Sequence, residues 1–535
     1  DLTLTVEEKG KQAVSFNGGV SGIGGSFVGV NYSTNNLFGY GESLSLGTQL
    51  GNRQKVISFG FTQPYVEGKP ISVGFNVSWQ DLEFLGTGFG TAITDPTILS
   101  LYNASDLFTQ KTLSATVSTS APVSFFWKRF RMGRFMRVGL AYTFSTTNIQ
   151  NPTNQQNLTP LSQLNNPLEQ IPINFTARGV TQSTVTPSLT YNTLNNALDP
   201  TNGKLVQATT QISGGPLGGK VSVIEPTFQF KSFRPFFAGR EGTRAKDPKK
   251  TRTLGYRFLF AHIQDIGTPF ESNSLSFIDG EPLFQRFYLG GDQDIRGYDI
   301  RSISPLVPIF TTINSQDVFA TNLNGGRLPI REASRATTDS VAPGVIQTFT
   351  RTGEAFPLPE GQPQPEVPLG GDSEMVFNIE YRVPIIGPLA IVPFIDIGTV
   401  FNLNKQIDQF VTSDFVLEPT PLATVVVNRR GKVASQRAIR EARTPGTPPG
   451  GLPPGFRAIE IFGEQQTVED IALSQARSGI FQDYRWSTGF ELRVQVPVIN
   501  VPFRLIFALN PNADTSNPFV YEKREVVRFS VGRTF

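Results

Sequence analysis

The chain has 535 residues, enough by length for three or four ordinary domains, but Gly (51) and Phe (44) are abundant and only 17% of residues are charged. It has no cysteine, which excludes a disulfide framework and thiolate metal sites, and a net charge of +3 is too small to suggest a nucleic-acid partner. No run of 18 apolar residues exists to form a transmembrane helix, whereas a membrane barrel fits this profile because only alternate residues of its strands meet lipid. The sequence opens at Asp1 directly in strand-like residues without a signal peptide, so it is expected to be a processed or truncated form.

In chain order, residues 1–9 (DLTLTVEEK) read as one soluble strand leading into a long alternating region. Alternation then predicts sixteen strands, at about 12–20, 24–34, 41–51, 54–65, 70–81, 110–120, 134–145, 178–192, 203–213, 220–234, 252–264, 374–384, 388–400, 484–496, 503–510 and 525–535. In the fifth, Ile71, Val73, Phe75, Val77 and Trp79 share one face and Ser72, Gly74, Asn76, Ser78 and Gln80 the other. Met136, Val138, Leu140, Tyr142 and Phe144 repeat the pattern, as do Trp486, Thr488, Phe490, Leu492, Val494 and Val496, with Ser487, Gly489, Glu491, Arg493 and Gln495 between them. A soluble sandwich also alternates. These strands, however, approach the ~9–11 residues that a tilted strand needs to cross a bilayer, and their polar faces suit a wet lumen. The connections fall into a mostly short set and a set that includes 82–109, 146–177, 265–373, 401–483 and 511–524. Short turns on one side, long loops on the other and an even strand number describe a bacterial outer-membrane barrel, an all-β, 16-stranded antiparallel fold.

Within loop 401–483, RTPGTPPGGLPPG (443–455) excludes helix and strand, while Thr467 followed by Asp470 predicts a short surface helix over 467–478. Loop 265–373 carries FYLGGDQDIRGY (287–298) and a Pro/Thr/Ser-rich insert. Gly290 and Gly291 allow a tight turn, Arg296 offers a planar fork for carboxylates, and Gly297 and Tyr298 complete the segment. The spacing is not that of a dinucleotide fingerprint. A solvated loop arginine is the plain alternative. Strand parity places Glu380 and Asp396 opposite the apolar residues of strands twelve and thirteen, hence toward the lumen, because a carboxylate is costly against lipid. Glu380 could equally pair with Arg382 or a neighbour.

The single histidine, His262, has no local nucleophile-and-acid signature, and no His/Cys cluster suggests a metal, so neither catalysis nor a cofactor is expected. Two basic clusters, Lys128, Arg129, Arg131 and Arg134, and Arg240, Arg244, Lys246, Lys249 and Lys250, fall in turns of the expected periplasmic side, where phosphate headgroups or an acidic partner could use them, or water alone. The first strand is weak: Val14, Phe16 and Val20 face outward, and Gly18 and Gly19 weaken its pairing. The last has Val527, Phe529 and Val531 outward and ends on Phe535. Closure would pair these two strands, making their seam the place where the barrel opens most easily.

Several runs resemble, in order, the BamA family of outer-membrane β-barrel assembly proteins: NNLFGYGESLSL (35–46), ISFGFTQPYVEG (57–68), LDPTNGKL (198–205), FYLGGDQDIRGY (287–298), NIEYRVP (378–384), FIDIGTVF (394–401) and FSVGRTF (529–535). The resemblance covers nearly the whole chain apart from the two loop inserts. Ile295 and Tyr298 stand where Val and Phe are more usual in that family. It implies that residues 1–11 end the last POTRA domain and that 12–535 form the barrel, with outer loops 265–373 and 401–483. It further implies that the loop folds into the lumen with Arg296 against Glu380 and Asp396. The function implied is insertion of unfolded client barrels into the bilayer through a lateral seam, without a chemical reaction and with accessory periplasmic lipoproteins as possible partners. The alternatives are a two-partner secretion transporter that exports a polypeptide through its lumen, and a passive porin.

Overall fold

The computed structural model describes residues 12–531 except 22–24, 85–107, 151–176, 198, 237–250, 268–276, 279–280, most of 315–369 (only 320–321, 327–328 and 366–368 are described), 405–408, 418–420, 431–433, 446–450, 463–465, 474–483, 496–501 and 516–521. The expected POTRA end at 1–11, the basic residues Arg240 to Lys250 and the terminal Phe535 lie outside the described residues.

Sixteen strands form one antiparallel sheet in chain order. They are β1 (Gln12–Ser21), β2 (Gly25–Asn35), β3 (Ser43–Gly51), β4 (Gln54–Gln63), β5 (Ser72–Phe84), β6 (Phe108–Pro122), β7 (Met136–Gln150), β8 (Ala177–Asn192), β9 (Gly203–Ser213), β10 (Val223–Pro235), β11 (Thr253–His262), β12 (Ser373–Ile386), β13 (Leu389–Phe401), β14 (Arg485–Gln495), β15 (Pro502–Leu509) and β16 (Glu525–Val531). A two-residue piece, Gln264–Asp265, prolongs β11 and pairs with β10. Each strand pairs with the next, from β1–β2 to β15–β16. The sheet curls until its ends meet: β1 and β16 come within 8 Å of each other. Among the described residues no ladder pair joins them.

The alternation has its expected consequence. Leu113, Val117, Leu140 and Phe144 are 47–54% exposed on the outer wall, where a bilayer would cover them. The inner face differs around the ring. In β5 to β7 it is a ladder of small hydroxyls, with Ser78 Oγ 2.8 Å from Ser114 Oγ and Thr116 Oγ1 2.9 Å from Thr143 Oγ1. Along β11 to β15 it is buried on every second residue, as in Thr253, Gly255, Arg257, Leu259 and Ala261. An apolar cluster there joins Leu259, Val376 and Val400 of the wall to Leu289, Ile295, Tyr298 and Ile303 of a loop folded into the lumen.

The outer loops contribute their own sheet. Leu306–Asn314 pairs with Glu366–Pro368 and with Gln466–Leu473, which in turn pairs with Gln409–Leu417. A hairpin joins Pro421–Asn428 to Phe456–Phe462. The helix expected over 467–478 is therefore wrong: its first seven residues belong to a strand. Thr467, Val468 and Ile471 suit a strand, and pairing on both edges outweighs a start signal that favours a helix only locally. A short helix forms instead at Gln436–Glu441, where the Ala438 amide donates to Ser435 Oγ at 3.2 Å.

Candidate functional site: a loop docked on the barrel wall

The loop leaves β11 and turns inward at its base. Phe287 bridges Gly371 and Leu289 bridges Ile303. Arg286 donates to Glu281 at 2.5 Å, to the Gly370 carbonyl at 3.0 Å and to Asn402 at 2.9 Å. Gly290 and Gly291 both adopt positive φ, +110° and +107°, so the pair is required by the backbone itself. The reversal sends residues 292–298 along the inner wall.

Arg296 is fully buried. Its Nε and Nη2 donate to Asp396 Oδ2 and Oδ1 at 2.8 and 2.7 Å, and its backbone amide donates to Oδ2 at 3.1 Å. This is the two-pronged geometry that a guanidinium offers and an ammonium cannot. Nη1 donates to Glu380 Oε2 at 3.5 Å and to Glu491 Oε2 at 3.4 Å, and the guanidinium lies 3.7 Å from the Phe394 ring centre. Burial alone would pull the guanidinium down; Asp396, then Glu380 and Glu491, more than reverse this and hold it above its ordinary value. Burial pushes the Asp294 carboxyl up, and Arg257, 3.4 Å away, only partly offsets this.

Parity in the sequence places Glu380 and Asp396 inward, and the structure brings both to Arg296. It adds a third carboxylate, Glu491, from β14. Glu380 also pairs with Arg382 at 2.5 Å and Arg493 at 3.3 Å, and Glu491 with Arg493 at 2.7 Å and Arg504 at 2.9 Å. Arg504 reaches Asp292 of the loop at 3.7 Å. Arg296, Arg382, Arg493 and Arg504 thus face the buried Asp292, Glu380, Asp396 and Glu491 in one network, and Arg382 extends it to the exposed Asp199 at 3.1 Å. The plain alternative, Glu380 paired with Arg382, is part of it. Glu491 had a signal in the sequence: it alternates with outward residues as Glu380 does.

Glycines let the surfaces interlock. A Cβ on Gly398, two residues along β13 from Asp396, would collide with Ile295 and Leu289. A Cβ on Gly297 would collide with Asn510 and Ser487, and Asn510 Nδ2 donates to the Gly297 carbonyl at 2.5 Å. Tyr298 donates its hydroxyl proton to Asn512 at 2.9 Å.

The loop also holds the last strand. Arg528 of β16 donates to the Tyr298 carbonyl at 2.9 Å and to Asp299 Oδ1 at 2.7 Å, and Ser530 donates to Asp292. On the outward face of the seam, Val14, Val527 and Phe529 are 59%, 67% and 51% exposed and Val531 is half-buried. Phe16 pairs through its backbone with Val30; its side chain lies outside the described residues. His262 ends β11 with Nδ1 2.8 Å from Ser373 Oγ, whose proton goes to Asp372 at 2.6 Å. Asp372 also accepts the amides of Leu403 and Asn404, both at 2.8 Å. The trio ties the loop base together, and its serine points its proton at the carboxylate rather than the imidazole.

Residues 36–535 match the model of the Omp85 superfamily domain. A curated relative, the outer membrane protein assembly factor BamA of Nitratidesulfovibrio vulgaris, is 23% identical over 308 residues, 58% of this chain and 31% of the relative. The chain therefore spans under a third of that relative's length. Among solved structures, BamA from Haemophilus ducreyi lacking POTRA domains 1–3 superposes with a TM-score of 0.51 at 14% identity, over 98% of this chain and 70% of that one. CdiB from Escherichia coli gives 0.45 at 8%, over 98% and 63%. With a family match that spans all but the first two strands, a sixteen-stranded sheet and a loop locked to its inner wall, the chain belongs to the Omp85 superfamily of bacterial outer-membrane β-barrels.

Proposed function

We propose that this barrel is the membrane part of an outer-membrane protein assembly factor, which carries out no chemical reaction and inserts client β-barrels through the seam between β1 and β16. The observation that carries this reading is the asymmetry of the seam. Its β16 side is held from within by Arg528 and Ser530 on the loop. Its β1 side is a ten-residue strand containing Gly18 and Gly19, with no ladder to β16 among the described residues. An unpaired strand edge is a template for another strand. A client's terminal strand would add to β1 by backbone hydrogen bonding, while β16 stays anchored. The curated relative is an assembly factor, which favours this reading over export of a polypeptide through the lumen. Unfolded outer-membrane barrels are then the clients, and accessory periplasmic subunits the partners.

β1 has 10 residues, against 15, 15 and 16 in β6, β7 and β8. A shorter apolar span at the seam would thin the bilayer locally and ease insertion. The test uses the absence of native cysteine. A disulfide between cysteines introduced in β1 and β16 should stop client assembly and growth, and reductant should restore both. Normal assembly in the locked form would refute the lateral route. Continued assembly of other outer-membrane barrels after depletion of the protein would refute the function itself.

A further inference from the structure

The connection between β6 and β7, VSFFWKRFRMGRF (123–135), is unlike the other short turns of its rim, and nothing in the docking of the loop uses it. It folds as a helical turn at Val123–Phe126 and a 3-10 turn at Arg131–Phe135. Val123 and Gly133 are buried and seat it on the barrel end. Four of its large side chains point away: Phe126, Trp127, Phe130 and Met132 are 45–68% exposed. Between Pro122 and Arg137 there are basic residues and no Asp or Glu. Among the described residues no carboxylate pairs with Lys128, Arg129, Arg131 or Arg134.

Its position says what would cover it. Phe135 meets Tyr191 edge-on, with ring centres 6.5 Å apart, and Tyr191 ends the row of β8 that contains Leu189 of the outer wall. The turn therefore continues the lipid-facing surface rather than the mouth of the lumen. Phe38, Tyr40 and Tyr65, exposed by 56–75% in the β2–β3 and β4–β5 turns, lie on the same rim. Short turns mark the periplasmic rim, and aromatic side chains gather where the barrel wall meets headgroups. A short segment that interleaves cations with exposed aromatics matches an apolar layer capped by negative charge.

We propose that residues 123–135 form an interfacial site for anionic phospholipid of the periplasmic leaflet. Trp127 and Phe130 would enter the acyl boundary, and Lys128, Arg129, Arg131 and Arg134 would take the phosphodiesters.

The full chain, reconstituted in phosphatidylcholine vesicles, tests this through quenching of Trp127 by lipids brominated near the headgroup. Trp127 is one of three tryptophans, so a Trp127→Phe variant supplies the background to subtract. Brominated phosphatidylglycerol should reach Trp127 with an apparent enrichment of about fivefold or more over brominated phosphatidylcholine, the weight of a single well-placed cation. Replacing all four cations by Gln, or adding ~0.5 M salt, should abolish the preference but leave the quenching. Equal quenching by the two lipids would overturn the proposal in favour of a plain apolar belt. No quenching by either would place the turn off the bilayer, and a Trp127 response to a polyglutamate peptide alone would make it a protein-docking site. Heat-modifiability confirms that the Gln variant is folded; if it is not, the two lipids and the salt titration on the wild-type chain decide the matter alone.

Discussion

The two halves of the ring are built by different physics. From β2 to β10 small hydroxyls bond across the ladder on the inner face, as between Ser72 and Ser120 at 2.7 Å. From β11 to β16 a loop supplies an interior: an apolar cluster around Ile295 and a charge network around Arg296. The first kind of wall is a sum of small, local, replaceable contacts. The second links strands far apart in the chain through a few buried groups that fail together. The seam lies where the two meet, with a braced strand on one side and a weakly held one on the other.

The largest effects should therefore come from single partners in the charge network. Arg296→Ala takes the guanidinium from Asp396 and leaves it the backbone amide of residue 296 at 3.1 Å and the Asn378 side-chain amide at 2.8 Å, whereas Glu380 and Glu491 keep Arg382, Arg493 and Arg504. Removing one member of a buried pair costs about 3–5 kcal/mol. Asp396→Ala should cost as much, both read as a lower temperature of heat-modifiability. Replacing both by apolar residues of similar size should cost less than either alone; strictly additive losses would break the picture of a coupled pair.

Next in size is Gly398→Val, which would push Ile295 from its seat and cost about 1–3 kcal/mol as overpacking. The same change on an inward glycine of the hydroxyl-lined half, Gly74, should cost less, since the nearest atoms there include the side chains of Ser118 and Thr62 rather than a packed loop. Arg528→Gln ranks third, because the pair with Asp299 is partly solvated. Its loss should amount to about 1 kcal/mol and should show as faster hydrogen exchange in β16 alone. The smallest effect is expected for Ser78→Ala, about 0.5 kcal/mol, the low end for one hydrogen bond, because this one is only part-buried. A loss as large as that of Arg296→Ala would erase the contrast between the halves.

Much of this was legible in the sequence because the information is periodic. All sixteen barrel strands lie where the alternation puts them, to within a few residues, and parity alone turns Glu380 and Asp396 inward. Glu491 lies on an equally clear inward face, but no local feature tells how far along the wall a docked loop reaches. The docking of Asp292 and Tyr298 on β15, β16 and their connection is non-local in the same way. The strand at Gln466–Leu473 shows the opposite failure. A helix-start signal is real but small, and partners at Leu306–Asn314 and Gln409–Leu417, distant in the chain, decide the outcome. The runs 287–298 and 394–401, far apart in the chain, meet in space, Ile295 against Gly398 and Arg296 against Asp396.

The most direct test of the central contrast is strand-resolved hydrogen exchange on the folded barrel, comparing wild type with Arg296→Ala. The loop-brace account predicts faster exchange in β11 to β16 and in residues 287–299, with β2 to β10 unchanged. Uniform acceleration around the ring, or none, would contradict it.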